Sequence, residues 1–281
     1  MTAYIIAALA ALAVLTAAGF ILMRTPAWKS VQLRRAAALA ASGRVEDMIR
    51  LLQRNRDRKS VKDPLTNALV YFLIRAGRFD EAEDAVAEAV QKGDSSGTAL
   101  GQLGLIESGR GNAPQAEDYY RKALEREPEL AGSLGVNLAG LLIEKRGEPA
   151  LDEAGKLLQA ALEIRAGASR SGVHINLSLL GLARSQPRDA LVHAMTAYEL
   201  MPPGDGTRGS RAQALALAAR ASSLLDEAGE AVELARKALS LIEGLAGFEK
   251  LHAEIEGMIP GISGKGGAGT EPAPGPGPAV P

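Results

Sequence analysis

Gly43, Gly77 and Gly111 stand 34 residues apart. Each sits between an apolar helical stretch and a second one. The run Leu69-Val70, Gly77, Phe79, Ala82, Ala89-Val90 is repeated as Leu103-Gly104, Gly111, Ala113, Ala116, Ala123-Leu124. A fixed helix-turn-helix period of this length marks a chain of stacked helical hairpins. No such hairpin buries its apolar face alone, so each must pack on its neighbours. Composition points the same way. Hydrophobic residues make up 47% of the chain but aromatics only 4%, so the apolar content is mostly Ala and Leu, strong helix formers. Val, Ile and Thr are too sparse for a large sheet. The expected fold class is all-α.

Two positions of the second helix carry a further regularity. One reads Met48, Ala82, Ala116, Ala154, Ala190 and Ala231; the other reads Asn55, Ala89, Ala123, Ala161, Ala197 and Ala238. Small residues there let three helices meet closely. Pro128 and Pro202 close two repeats, and Asn137-Leu138-Ala139 and Asn176-Leu177-Ser178 fall in first helices. On these residues the chain resembles the tetratricopeptide repeat family. The resemblance covers residues 29–243 as six hairpins: 29–62, 63–96, 97–130, 131–168, 171–204 and 208–243. It implies an α-solenoid. The first repeat departs from the pattern at Met48 and Asn55, the fourth has a longer turn near Arg146-Gly147-Glu148-Pro149, and the sixth lacks a Gly turn. Residues 246–260 read as a capping helix, with Leu251, Ile255 and Met258 on one face. From Gly261 to Pro281 the chain is mostly Gly, Pro and Ala, and a disordered tail is expected.

The amino-terminal segment 1–28 has another character. Ala3 to Met23 carries no charge. As a helix it spans roughly 31 Å, which matches a bilayer core of about 30 Å. Tyr4 and Trp28 bracket it where interfacial aromatics are expected. The alternatives are a cleaved signal peptide and a buried core helix. A signal peptide needs a basic start and a small-residue cleavage site, and neither is evident. Arg24, Lys29, Arg34 and Arg35 follow the run, so the repeats are expected on the cytoplasmic side of the cell membrane. A body facing the periplasm, as an envelope-assembly or chaperone-like factor, is the alternative. The spacing Ala3-Ala7-Ala11 permits helix dimerisation in lipid and so a homo-oligomer, with chance spacing in an Ala-rich segment as the competing reading.

Nothing in the sequence assembles into a catalytic constellation, so no enzyme activity and no cofactor is expected. Cysteine is absent, which removes thiol chemistry and cysteine metal sites. Gly93-Asp94-Ser95-Ser96-Gly97 has the residues of an ordinary inter-repeat loop. Gly264-Lys265-Gly266 lacks the Ser/Thr, strand and helix of a phosphate loop. His174, His193 and His252 are scattered, with no helical i, i+4 pair, and no metal site is expected.

Charge is distributed unevenly. Residues 24–62 carry a net charge of +8 and the rest of the chain −9. Arg24, Lys29, Arg34, Arg35, Arg50, Arg54, Arg58 and Lys59, with Arg56 and Lys62 beside them, form a candidate surface for anionic lipid. A solvated helix end is the competing reading. No aromatics interleave the run, so nucleic acid is not expected. In the family that the chain resembles, partners lie against the first helices. Carried over, that face offers Pro64, Asn67, Tyr71 and Ile74, then Thr98, Gly101, Leu105 and Ser108, then Gly172, Ile175, Leu179 and Leu182. None is charged. The expected partner is therefore a protein or peptide presenting an apolar or amphipathic helix, and the expected function is a membrane-tethered scaffold. Packing of the solenoid is the competing role for each of these residues.

Overall fold

The computed structural model describes residues 25–145, 147–164, 170–245 and 248–258. Among them there is no strand. The helices are α1 (Pro26–Ala41), α2 (Val45–Asn55), α3 (Pro64–Arg75), α4 (Phe79–Gln91), α5 (Gly97–Gly109), α6 (Ala113–Arg126) and α7 (Ala131–Lys145). They continue as α8 (Glu148–Ile164), α9 (Ser171–Ala183), α10 (Pro187–Leu200), α11 (Arg208–Leu224), α12 (Ala228–Ile242) and α13 (Glu249–Met258). Among the described residues α1/α2, α3/α4 and α5/α6 pair as hairpins in the first unit, α9/α10 and α11/α12 pair in the second, and α13 follows. The first helix begins at Pro26, three residues before the expected repeat start, with the Thr25 hydroxyl accepting from Trp28 N. Trp28 packs against the core of the first repeats, so its ring belongs to the repeat body. The apolar run Ala3–Met23 and the Gly/Pro tail lie outside the described residues. Among the described residues no helix is long and apolar enough to cross a membrane.

Five turns among the described residues share one geometry. A helix ends in a left-handed residue, and the next amide reaches back five residues. Arg44 N donates to Leu39 O, Arg78 N to Leu73 O, Asn112 N to Glu107 O, Gln186 N to Gly181 O and Glu227 N to Ser222 O. This is the Schellman closure, which satisfies carbonyls that the helix end would leave bare. The left-handed residue is Gly43, Gly77 or Gly111 in the first three hairpins, Ser185 in the fifth and Asp226 in the sixth. The sixth hairpin thus makes the same turn without glycine.

The chain divides into two compact units at Leu141/Leu142. In the first, Leu52, Leu65, Leu69, Leu73, Val86 and Ile106 form the core. In the second, α11 is buried along most of its length, Leu215 included, and Ile175, Leu234 and Ile242 belong to the same cluster. Ile255 of α13 is fully buried in that cluster, with Phe248, Leu251 and Met258 packed against it. The ten alanines of the two small-residue positions are all at most 2% exposed. That burial is the physical reason for the sequence regularity. The exceptions in the first repeat are accommodated: Met48 is buried, and Asn55 Nδ2 donates to Leu51 O at 2.7 Å.

Candidate partner-binding face

The second hairpin begins at Asp63. Its carboxylate caps α3, accepting from Thr66 N at 3.0 Å, and it accepts from Asp57 N at 3.1 Å. Lys29 of α1 adds an ion pair of 2.6 Å. Asp63 is nearly buried, and these donors keep its charge satisfied there. The cap fixes where α3 starts, and so which of its residues face out. Pro64, Asn67 and Tyr71 do, at successive turns. Tyr71 is 53% exposed, and its ring meets Phe72 edge-on at 5.4 Å. Ile74 is half-buried beneath this face, and Arg75 is exposed at its end.

The next first helix is more closed. Gly101 is buried, and a Cβ there would come within 2.6 Å of Leu134 Cδ1. Thr98 donates to Glu127 at 3.2 Å, and Ser108 hydrogen-bonds the buried Tyr120 hydroxyl, whose pKa burial pushes up. Leu105 is half-buried. In the second unit Ile175 is buried, Leu179 and Leu182 pack against the same core, and Gly172 is exposed. Of the twelve face residues expected from sequence, Asn67 and Tyr71 are therefore the exposed side chains that offer hydrogen bonds or aromatic surface. Gly101 and Ile175 are buried, and Leu179 is half-buried against the core. The reason is that first helices in a stack bury their sides against each other. A pattern of positions cannot say which small residue is covered by a neighbour.

The basic surface also changes character. Arg56 is almost fully buried and pairs with Glu88, and Arg58 reaches the same carboxylate at 3.4 Å. Hydrogen bonding from Lys92, then from Arg56, holds Glu88 down at about 2 despite burial. Arg50 pairs with Asp47 at 2.5 Å, and Lys62 with Glu127 at 2.9 Å. Lys29, Arg50 and Arg58 are thus spent on ion pairs within the fold. Arg34, Arg35, Arg54 and Lys59 are exposed, and no carboxylate of the described residues pairs with them. Arg24 lies outside the described residues. Lys59, Lys62 and Arg126 line an open depression that also holds Asp94 and Glu127, so its charge is mixed. Ser96 in that loop caps α5, accepting from Ala99 N, and Asp94 accepts from Val61 N at 2.8 Å.

Two clusters carried no sequence signal. His174 and His193, nineteen residues apart, meet across the fifth hairpin with Nδ1 atoms 3.2 Å apart. Tyr198 lies under Arg211 and beside Lys237, at 4.3 and 4.9 Å from its ring centre, and its hydroxyl pKa is drawn down by hydrogen bonds from those cations against the effect of burial. Both join residues of different helices, and helix spacing alone cannot reveal them.

No family model matches this sequence, and no curated protein does. Solved structures do. BtubC from P. vanneervenii is 18% identical, with a TM-score of 0.53 over 79% of this chain and 91% of that one. The C-terminal part of a TPR repeat-containing protein from Cytophaga hutchinsonii is 14% identical, with a TM-score of 0.45 over 80% and 84%. PilF of Pseudomonas aeruginosa is 19% identical, with a TM-score of 0.43 over 67% and 96%. At such identities the first likeness shows the fold alone. The other two fall below the similarity needed to add to it.

Proposed function

We propose that this chain of tetratricopeptide-type hairpins is a membrane-tethered scaffold, not an enzyme, and that it binds a protein partner on the α3 face around Tyr71. Tyr71 carries the reading. A tyrosine ring held half in water on a rigid helix gains by leaving it, at about 25 cal/mol per Å² of apolar area. It loses little side-chain freedom on binding. Asn67, one turn earlier, supplies a donor and an acceptor that fix orientation. A partner presenting an apolar or amphipathic helix suits such a face.

The tether rests on the uncharged run Ala3–Met23, which lies outside the described residues. Arg34 and Arg35, exposed and without a carboxylate partner among the described residues, support a cytoplasmic body and contact with anionic head groups. Lys29, Arg50 and Arg58 add little, because their charge is already offset.

The test of the face is Asn67→Ala with Tyr71→Ala. Both side chains are exposed, so the fold should survive, as circular dichroism will report. A partner that co-purifies with the wild-type chain from membranes should be lost from the double variant. If every partner is retained at wild-type yield, the face is not the binding surface. A phosphatase fused after Pro281 reports the side of the membrane. Little activity is expected, and strong activity would put the repeats outside the cytoplasm.

A further inference from the structure

The geometry points to a transition-metal site at His174 and His193, a two-point chelate for Zn²⁺ or a similar borderline divalent ion that clips α9 to α10. The two Nδ1 atoms are 3.2 Å apart. Zn–N bonds are about 2.0–2.1 Å long, so two imidazole nitrogens on one tetrahedral ion stand about 3.3 Å apart. The ring centres are 5.3 Å apart and the planes tilt by 37°, so both nitrogens sit on the facing sides of their rings.

The hairpin sets this spacing. Gly181 of α9 packs on Ala190 of α10 so closely that a Cβ there would lie 3.1 Å from Ala190 Cβ. The turn is locked by Gln186 N donating to Gly181 O at 2.7 Å and Ser185 N to Leu182 O at 3.2 Å. Each histidine therefore stands on a fixed helix, and chelation costs little ordering. Both rings are half-buried, so an ion can reach them from solvent.

The protonation state suits a ligand. Burial lowers the pKa of both imidazoles, and for His174 the neighbouring His193 and Arg170 act in the same direction. Neutral imidazole is the form that binds metal. Asp189, one turn before His193, favours positive charge nearby. Arg170 opposes it, although its guanidinium donates to Leu162 O at 2.9 Å. No third His, Cys, Asp or Glu completes a cluster among the described residues. The ion would keep two protein ligands, with water in its other positions. Without metal, the same contact is a hydrogen bond in which one ring donates from Nδ1.

The experiment uses the untagged full-length chain in mild detergent at neutral pH, with Zn²⁺ alone as probe and Mg²⁺ as control. Zn²⁺ should bind with one equivalent per chain by calorimetry and raise the Tm, since an ion bound only to the folded state stabilises it. His174→Gln and His193→Gln should each lose both effects, and His252→Gln should keep them. Absence of a Zn²⁺-dependent shift in the wild type overturns the site. So does an undiminished shift in either glutamine variant. Should those variants fail to fold, nitrogen NMR of histidine-labelled wild type decides. Zn²⁺ must move two Nδ1 resonances, and unmoved resonances leave only a hydrogen-bonded pair.

Discussion

Ala82, Ala116, Ala154 and Ala190 are fully buried, and Gly97 and Gly101 of α5 are confined as well. At Gly97 an added Cβ would lie 2.7 Å from the Ala123 carbonyl oxygen, which is backbone and cannot step aside. At Gly101 it would meet Leu134 Cδ1 at 2.6 Å, the end of a side chain that can change rotamer. The same substitution should therefore differ in effect. Gly97→Ala is expected to destabilise the first unit by about 1–3 kcal/mol, the usual range for overpacking. Gly101→Ala should cost clearly less, because Leu134 yields and Ala gains up to about 1 kcal/mol of helix propensity. Urea unfolding of both variants measures this. Equal losses would mean that the obstructing atom's freedom does not decide the outcome.

Successive hairpins are tied by arginines at the turns. Arg78 reaches Glu46 in the hairpin before it at 2.7 Å, and Arg110 reaches Asp80 at 2.7 Å. In the second unit Arg184 reaches Asp152 at 2.5 Å. All are partly exposed, so each adds little by itself. The Arg56–Glu88 pair differs, because the Arg56 side chain is almost fully buried while Glu88 stays partly exposed. Arg56 Nε and Nη1 are buried with no hydrogen-bond partner, so its charge depends on Glu88. Removing one partner of a fully buried pair costs about 3–5 kcal/mol, and Glu88→Gln should cost less than that, because water reaches Glu88. Glu88 has a folded pKa of about 2, below its ordinary 4.5. A depressed carboxylate stabilises the fold fully above its unfolded pKa and loses that contribution as pH falls through the folded one. The stability gap between wild type and Glu88→Gln should thus hold above about pH 4.5 and close toward about pH 2. Urea titrations across that window test it, and a gap independent of pH would detach the stabilisation from Glu88 ionisation.

At the scale of the whole molecule, a stack of hairpins ends with one apolar face uncovered unless something caps it. In the second unit α13 does so. Ile255 is fully buried, and Phe248 lies so close to Gly209 that a Cβ there would meet its ring at 2.0 Å. Ile255→Ala should destabilise the second unit by about 2–5 kcal/mol, as a large-to-small core change does. Hydrogen exchange locates the loss. Faster exchange in α11 and α12, with α3 and α4 unchanged, is expected. Unchanged exchange in α11 and α12 would show that the cap does not hold the last hairpin.

How much of this could be read from the chain follows from the range of the interactions. The 34-residue period, the alanine positions and the cap residues Leu251, Ile255 and Met258 are local patterns. Each helix repeats its own burial, so the sequence alone marked the helical-hairpin pattern and the small-residue packing positions. The turns were half legible. Gly43, Gly77 and Gly111 announce themselves, but Ser185 and Asp226 adopt the same left-handed geometry because the hairpin demands it. The fate of the surface was not legible. Asn67 and Ile175 occupy the same position of their repeats, yet one is exposed and the other buried. Arg54 and Arg56 differ in the same way, for Glu88 lies near one and not the other. His174 and His193 look scattered and touch. Only tertiary structure decides such things, because exposure, ion pairing and chelation depend on which neighbour arrives from another helix.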